Sequence, residues 1–99
     1  MLAIAKEYKG RFPLAVATGG VLPVVKTALK ALKLEDFFDA IVTSEDVTHG
    51  KPAPDTFLEA ARRLKVQPQH CMVFEDSDMG LEAASRAGMA AVDVRPWLS

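Results

Sequence analysis

Four short apolar runs alternate along this chain with segments of helical spacing, and that alternation limits its fold more than any other feature. The runs are Phe12 to Thr18 (FPLAVAT), Ala40 to Thr43 (AIVT), Cys71 to Phe74 (CMVF) and Ala90 to Val94 (AAVDV). Runs so short and so evenly apolar suit strands covered on both faces. Between the first two, Val21 to Lys33 has apolar residues at 21, 25, 28, 29 and 32, which is helical spacing. Pro54 can open a second helix, since proline is tolerated in a first turn, with Phe57, Leu58, Ala61 and Leu64 on one face. Ser77 can cap a third, with Ala83, Ala84 and Ala87 on its small face and Gly88 at its end. Leu2 to Tyr8 is weakly helical. Strands alternating with helices imply right-handed crossovers and a mainly parallel sheet.

The 99 residues suffice for one small domain. A net charge of −1, with twelve scattered Lys and Arg, gives no footprint for nucleic acid or a membrane surface. The apolar start, before Lys6 and Glu7, is too short for a signal peptide or a membrane span. Cys71 is the only cysteine, so no intramolecular disulfide can form, which fits a reducing cytoplasm. Preceding an apolar run, it reads as a buried structural thiol.

In parallel sheets the functional loops lie beyond the carboxyl ends of the strands. Three polar loops fall there. In the first, the Thr18 hydroxyl and the backbone of Gly19 and Gly20 can cradle a phosphate oxygen, or form a plain strand-to-helix turn. In the second, Lys51 of GKPAPD, held by rigid prolines, can offer a fixed ammonium to a phosphate or to a buried carboxylate, or be a solvated loop lysine. In the third, Glu75, Asp76 and Asp78 of VFEDSDMG can hold Mg²⁺, or simply favour a helix N-terminus. His49 and His70 read as surface residues.

Taken together, GKPAPD and VFEDS…G…AA…AGM at this spacing resemble the haloacid dehalogenase superfamily, in the branch of β-phosphoglucomutase and small sugar-phosphate phosphatases. The resemblance covers essentially the whole chain. It implies a three-layer, Rossmann-like α/β fold with a parallel sheet. It gives Thr18 and the Gly19 N–H to the phosphoryl group and makes Lys51 the cation that steadies that group and the nucleophile's charge. Asp76 becomes a direct Mg²⁺ ligand, and Glu75 a second acid acting through water. Asp78 lies outside the matched positions and reads as a first-turn helix residue. Gly80 stands where other branches carry a further Asp. The implied substrate is a small phosphorylated sugar.

The family's Asp-x-Asp-Gly run, which supplies the nucleophile and the general acid–base, does not occur in these residues, and neither does the cap domain that usually lies between that run and the motif of Thr18. Residues 1–99 are therefore expected to form a single partial core domain, lacking the nucleophile strand. That strand belongs between the strand ending at Thr18 and the one ending at Phe74, so a gap is expected in mid-sheet. The two strands could close on each other, a second copy could cover the gap in a homodimer, or an N-terminal half could complement it; of these, self-association as a dimer is the expected outcome. Alone, the chain is expected to be inactive. The alternatives are a non-catalytic remnant or binding module and, from another class, a receiver-like signalling domain.

Overall fold

The computed structural model describes residues 10–97, and the expected helix at Leu2 to Tyr8 lies outside them. The strands are β1 (Ala15–Ala17), β2 (Ala40–Val42), β3 (Met72–Glu75) and β4 (Ala90–Asp93). The helices are α1 (Leu22–Ala31), α2 (Asp55–Leu64) and α3 (Asp78–Arg86). The order is thus the expected β–α alternation. Short 3₁₀ turns at Ser44–Asp46, Pro68–His70 and Arg95–Trp97 fill the connections.

The strands form two parallel pairs. β1 lies beside β2, with Val16 opposite Ile41, and β3 beside β4, with Phe74 opposite Val92. No ladder joins β1 to β3. Closure of these two strands on each other, one of the three outcomes considered, is therefore not what the chain adopts. The break falls where the missing central strand was expected.

One apolar cluster spans the break. Phe57 and Ala61 of α2 meet Ala83, Ala84 and Ala87 of the α3 region, together with Val73 and Met89. Ala17 of β1 and Cys71 pack against the same cluster. α2 lies on β1 and β2, α3 on β3 and β4, and the two helices touch. Alanines on α3 let it approach closely, while the Phe57 ring supplies bulk from the opposite side.

Helix ends follow local chemistry. Ser77 Oγ accepts the Gly80 N–H at 3.0 Å, the expected cap of α3. Gly88 ends that helix at φ +77°, and the Met89 N–H returns to the Ala84 carbonyl. α1 has no cap of its own, and Glu45 Oε1 reaches from the next loop to the Leu22 N–H at 2.8 Å.

Three expectations need correction. The third strand starts and ends one residue later than CMVF: Cys71 closes the preceding 3₁₀ turn, and Glu75 is included because its carbonyl still bonds the Val94 N–H. β1 is much shorter than its apolar run: its partner β2 has three residues, so pairing covers only Ala15–Ala17. Leu58 was placed on the buried face of α2 but is 39% exposed. Thr56, Phe57, Ala60 and Ala61 form that face, since a rotation of about 100° per residue gathers them within one arc of about 140° and turns position 58 outward.

Candidate functional site

The carboxyl ends of β1 and β3 converge on one side chain. Lys51, in the loop after β2, donates from Nζ to the Ala17 carbonyl at 3.2 Å and to Glu75 Oε2 at 3.0 Å. Its ammonium also lies 4.8 Å from the centre of the Phe57 ring. Lys51 thereby ties β1 to β3 across the break that no backbone ladder spans. The Lys51 and Glu75 side chains are only 17% and 9% exposed, so this is a mostly desolvated pair.

Glu75 ends β3 with its carboxylate fully engaged. Oε1 accepts the Asp76 N–H at 3.0 Å and the Ser77 hydroxyl at 3.1 Å, while Oε2 takes Lys51. Burial pushes its pKa up, but the hydrogen bond and charge of Lys51 and the Asp76 N–H outweigh burial, and the carboxyl is held below its ordinary 4.5. Asp76, one residue on, is exposed.

Thr18 stands just beyond β1. Its N–H bonds the Val42 carbonyl at 2.9 Å and its Oγ1 accepts the Gly20 N–H at 3.1 Å. A hydroxyl that accepts one bond keeps its own hydrogen to donate. The Gly20 carbonyl accepts the Ser44 N–H, joining this loop to the one after β2. Gly19 is exposed, and a Cβ there would meet nothing within 4 Å, so a ligand has open space beside its backbone.

The remaining polar residues fall outside this convergence. Asp78, in the first turn of α3, pairs with Arg95 at 2.9 Å, as a helix-terminal acid rather than a site group. His49 is exposed and lies 3.4 Å from Asp55, and His70 is exposed at the entry to β3. Cys71 packs against the core, and burial pushes its thiol pKa up, which makes it a poor nucleophile.

Among the described residues no three His, Cys, Asp or Glu side chains gather to hold a metal ion. The donor chemistry fits Mg²⁺ only in part. Asp76 presents an exposed carboxylate to a hard cation, whereas both Glu75 oxygens are spoken for. Three participants were missed from the sequence: the Ala17 carbonyl, the Ser77 hydroxyl as donor to Glu75, and the π face of Phe57. The ED–Ser run in VFEDSD was a readable signal for Ser77. Nothing local marked the other two.

Acid sensitivity follows from these bonds. Besides Glu75, three carboxyls titrate low: Asp46, through the Thr43 N–H and Arg63; Asp93, through Arg95; and Glu59, held at about 2 by Arg62 and Arg63. A carboxyl depressed in the folded state stabilises above its unfolded pKa, and that contribution is lost as pH falls through the folded value. The urea midpoint is therefore expected to stay flat from neutral pH to about 5 and to fall progressively below that. A midpoint unchanged between pH 7 and about 3.5 would contradict the depressed values.

Three comparisons bear on this arrangement. The family described as haloacid dehalogenase-like hydrolase matches residues 1–88. The fructose-1-phosphate phosphatase YqaB of Escherichia coli (strain K12) is 50% identical over 95 residues, covering 96% of this chain and 50% of that protein. A putative beta-phosphoglucomutase from Thermotoga maritima superimposes with a TM-score of 0.83 at 38% identity, over 89% of this chain and 41% of that one. CbbY from Rhodobacter sphaeroides, solved in complex with phosphate, gives 0.85 at 35% identity, over 91% and 42%. The chain thus spans about half the length, or less, of the relatives it matches.

Proposed function

The chain belongs to the haloacid dehalogenase-like hydrolases, and from that premise we propose that it carries the phosphate- and cation-handling part of a Mg²⁺-dependent sugar-phosphate phosphatase or phosphomutase. One observation supports this reading most directly: a single desolvated lysine, Lys51, bridges the carboxyl ends of β1 and β3 beside the Thr18 loop. An ammonium has three donors, and two of them go to Ala17 and Glu75, leaving one for a phosphoryl oxygen. Thr18 and the Gly19 N–H supply further donors. Asp76 would hold Mg²⁺, with Glu75 behind it and further ligands from outside these residues. The cation would neutralise charge on the transferring phosphoryl group.

Positioning by these groups does not replace a covalent step. The nucleophile carboxylate has to come from a strand between β1 and β3. A second copy of these residues could cover the break in a homodimer, but it has no Asp-x-Asp-Gly run to give. A complementing N-terminal half is therefore the favoured partner. The substrate is a small phosphorylated sugar, in keeping with what YqaB is named for. Residues 1–99 serve as one partial core domain. A cytoplasmic setting agrees with the lone cysteine, and among the described residues no helix is long and apolar enough to cross a membrane. The receiver-like alternative draws no support from the family match.

Co-expression with the Asp-x-Asp-bearing half of a relative, followed by phosphate release from a panel of sugar phosphates, tests this. Mg²⁺-dependent turnover is expected from the pair and from neither part alone, and Asp76→Asn should reduce it by about 10²-fold or more. Turnover by residues 1–99 alone, lost on Asp76→Asn, would refute the need for a partner. A folded pair without activity would refute the reading as a whole.

A further inference from the structure

Gly80 is the third residue of α3, and it is buried. Glycine is a poor helix residue next to alanine, so its presence there calls for a reason. Backbone conformation is not that reason, because the described glycines with positive φ are Gly10 and Gly88. Space is. A Cβ built on Gly80 would fall far inside van der Waals contact of Cγ, Cδ and Oε2 of Glu75, three atoms of one side chain. Those atoms have little freedom to retreat. Oε1 is held by the Asp76 N–H and the Ser77 hydroxyl, and Oε2 by Lys51.

We infer that Gly80 is a positioning residue: it is the recess into which the Glu75 side chain folds, and through Glu75 it sets where the Lys51 ammonium stands. Any side chain at 80 evicts the carboxylate that anchors Lys51. A glutamate at 75 and a side chain at 80 therefore exclude each other in this backbone. Ser77 serves the same purpose from the other side, since it receives the Gly80 N–H while donating to Glu75. The functional weight of the inference rests on Lys51 facing phosphate, but its geometric content does not.

Two measurements test it without any assay of turnover. The first is acylation of lysines by an amine-reactive reagent, read by mass spectrometry, with exposed Lys26 and Lys30 as internal references. Gly80→Ala is expected to raise Lys51 labelling at least about fivefold relative to them, because loss of the carboxylate releases the amine from its buried bond and uncovers it to the reagent. The second is a urea-midpoint comparison of Gly80→Ala in two backgrounds: the natural one, and Lys51→Met/Glu75→Ala, where no charge is stranded. The substitution should lower the midpoint in the first and leave or raise it in the second, where only helix propensity remains. If Gly80→Ala fails to fold alone but folds in the second background, the inference stands. Equal losses in both backgrounds, or unchanged Lys51 labelling in a folded Gly80→Ala protein, would overturn it. Should the labelling respond as expected in a reconstituted pair that has no activity, this inference survives and the proposed function does not.

Discussion

Lys51→Ala is expected to destabilise the domain by about 3 kcal/mol, seen as a lower urea midpoint at neutral pH. An exposed ion pair would contribute far less, at most about 1 kcal/mol. The difference is burial: the Lys51 and Glu75 side chains are 17% and 9% exposed. Removing the ammonium strands a buried carboxylate and leaves the Ala17 carbonyl without the donor that joins β1 to β3. The double change Lys51→Met/Glu75→Leu should recover most of the loss, because an apolar pair of similar volume strands no charge. A single-mutant loss below about 1 kcal/mol would mean that Lys51 is better solvated than its contacts indicate. In a reconstituted enzyme the same alanine should also depress kcat/KM by about 10²–10³, the usual cost of removing one preorganised donor from a developing charge.

Phe57→Ala is expected to cost about 3–4 kcal/mol, within the range for a core aromatic. Phe57 is 5% exposed and lies in the cluster that holds the two strand pairs together. Its ring also lies beneath the Lys51 ammonium, so truncation removes packing and a cation–π contact at once. In a domain this small such a loss lowers the thermal midpoint by about 15–25 °C. Phe57→Leu keeps most of the volume and should cost about 1–1.5 kcal/mol. Calorimetry of both variants separates the two contributions. If Leu were as damaging as Ala, the ring's contact with Lys51 would outweigh its volume.

Much of this was readable along the chain. The strand and helix order follows from hydrophobic spacing, because burial of one face imposes a period that a local window reveals. The Ser77 cap and the Gly88 terminus are equally local, since a cap is a bond between near neighbours. Strand ends were less legible. β1 stops with its partner β2, and β3 extends to Glu75 because β4 still pairs with it there. Pairing depends on a segment distant in sequence, so the apolar run that marks a strand overestimates the length of one and misplaces the other by a residue.

The sequence by itself determined the β–α alternation, the helix ends and the three polar loops at the carboxyl ends of the strands, because each arises from residues within a few positions of one another. Only the tertiary structure decided that Lys51 meets Glu75 and Ala17, partners 24 and 34 residues away, and that Gly80 leaves room for Glu75. The reason is physical: a buried charge takes whatever counter-charge and carbonyl the folded chain brings within 3 Å or so, and local spacing carries no record of that choice.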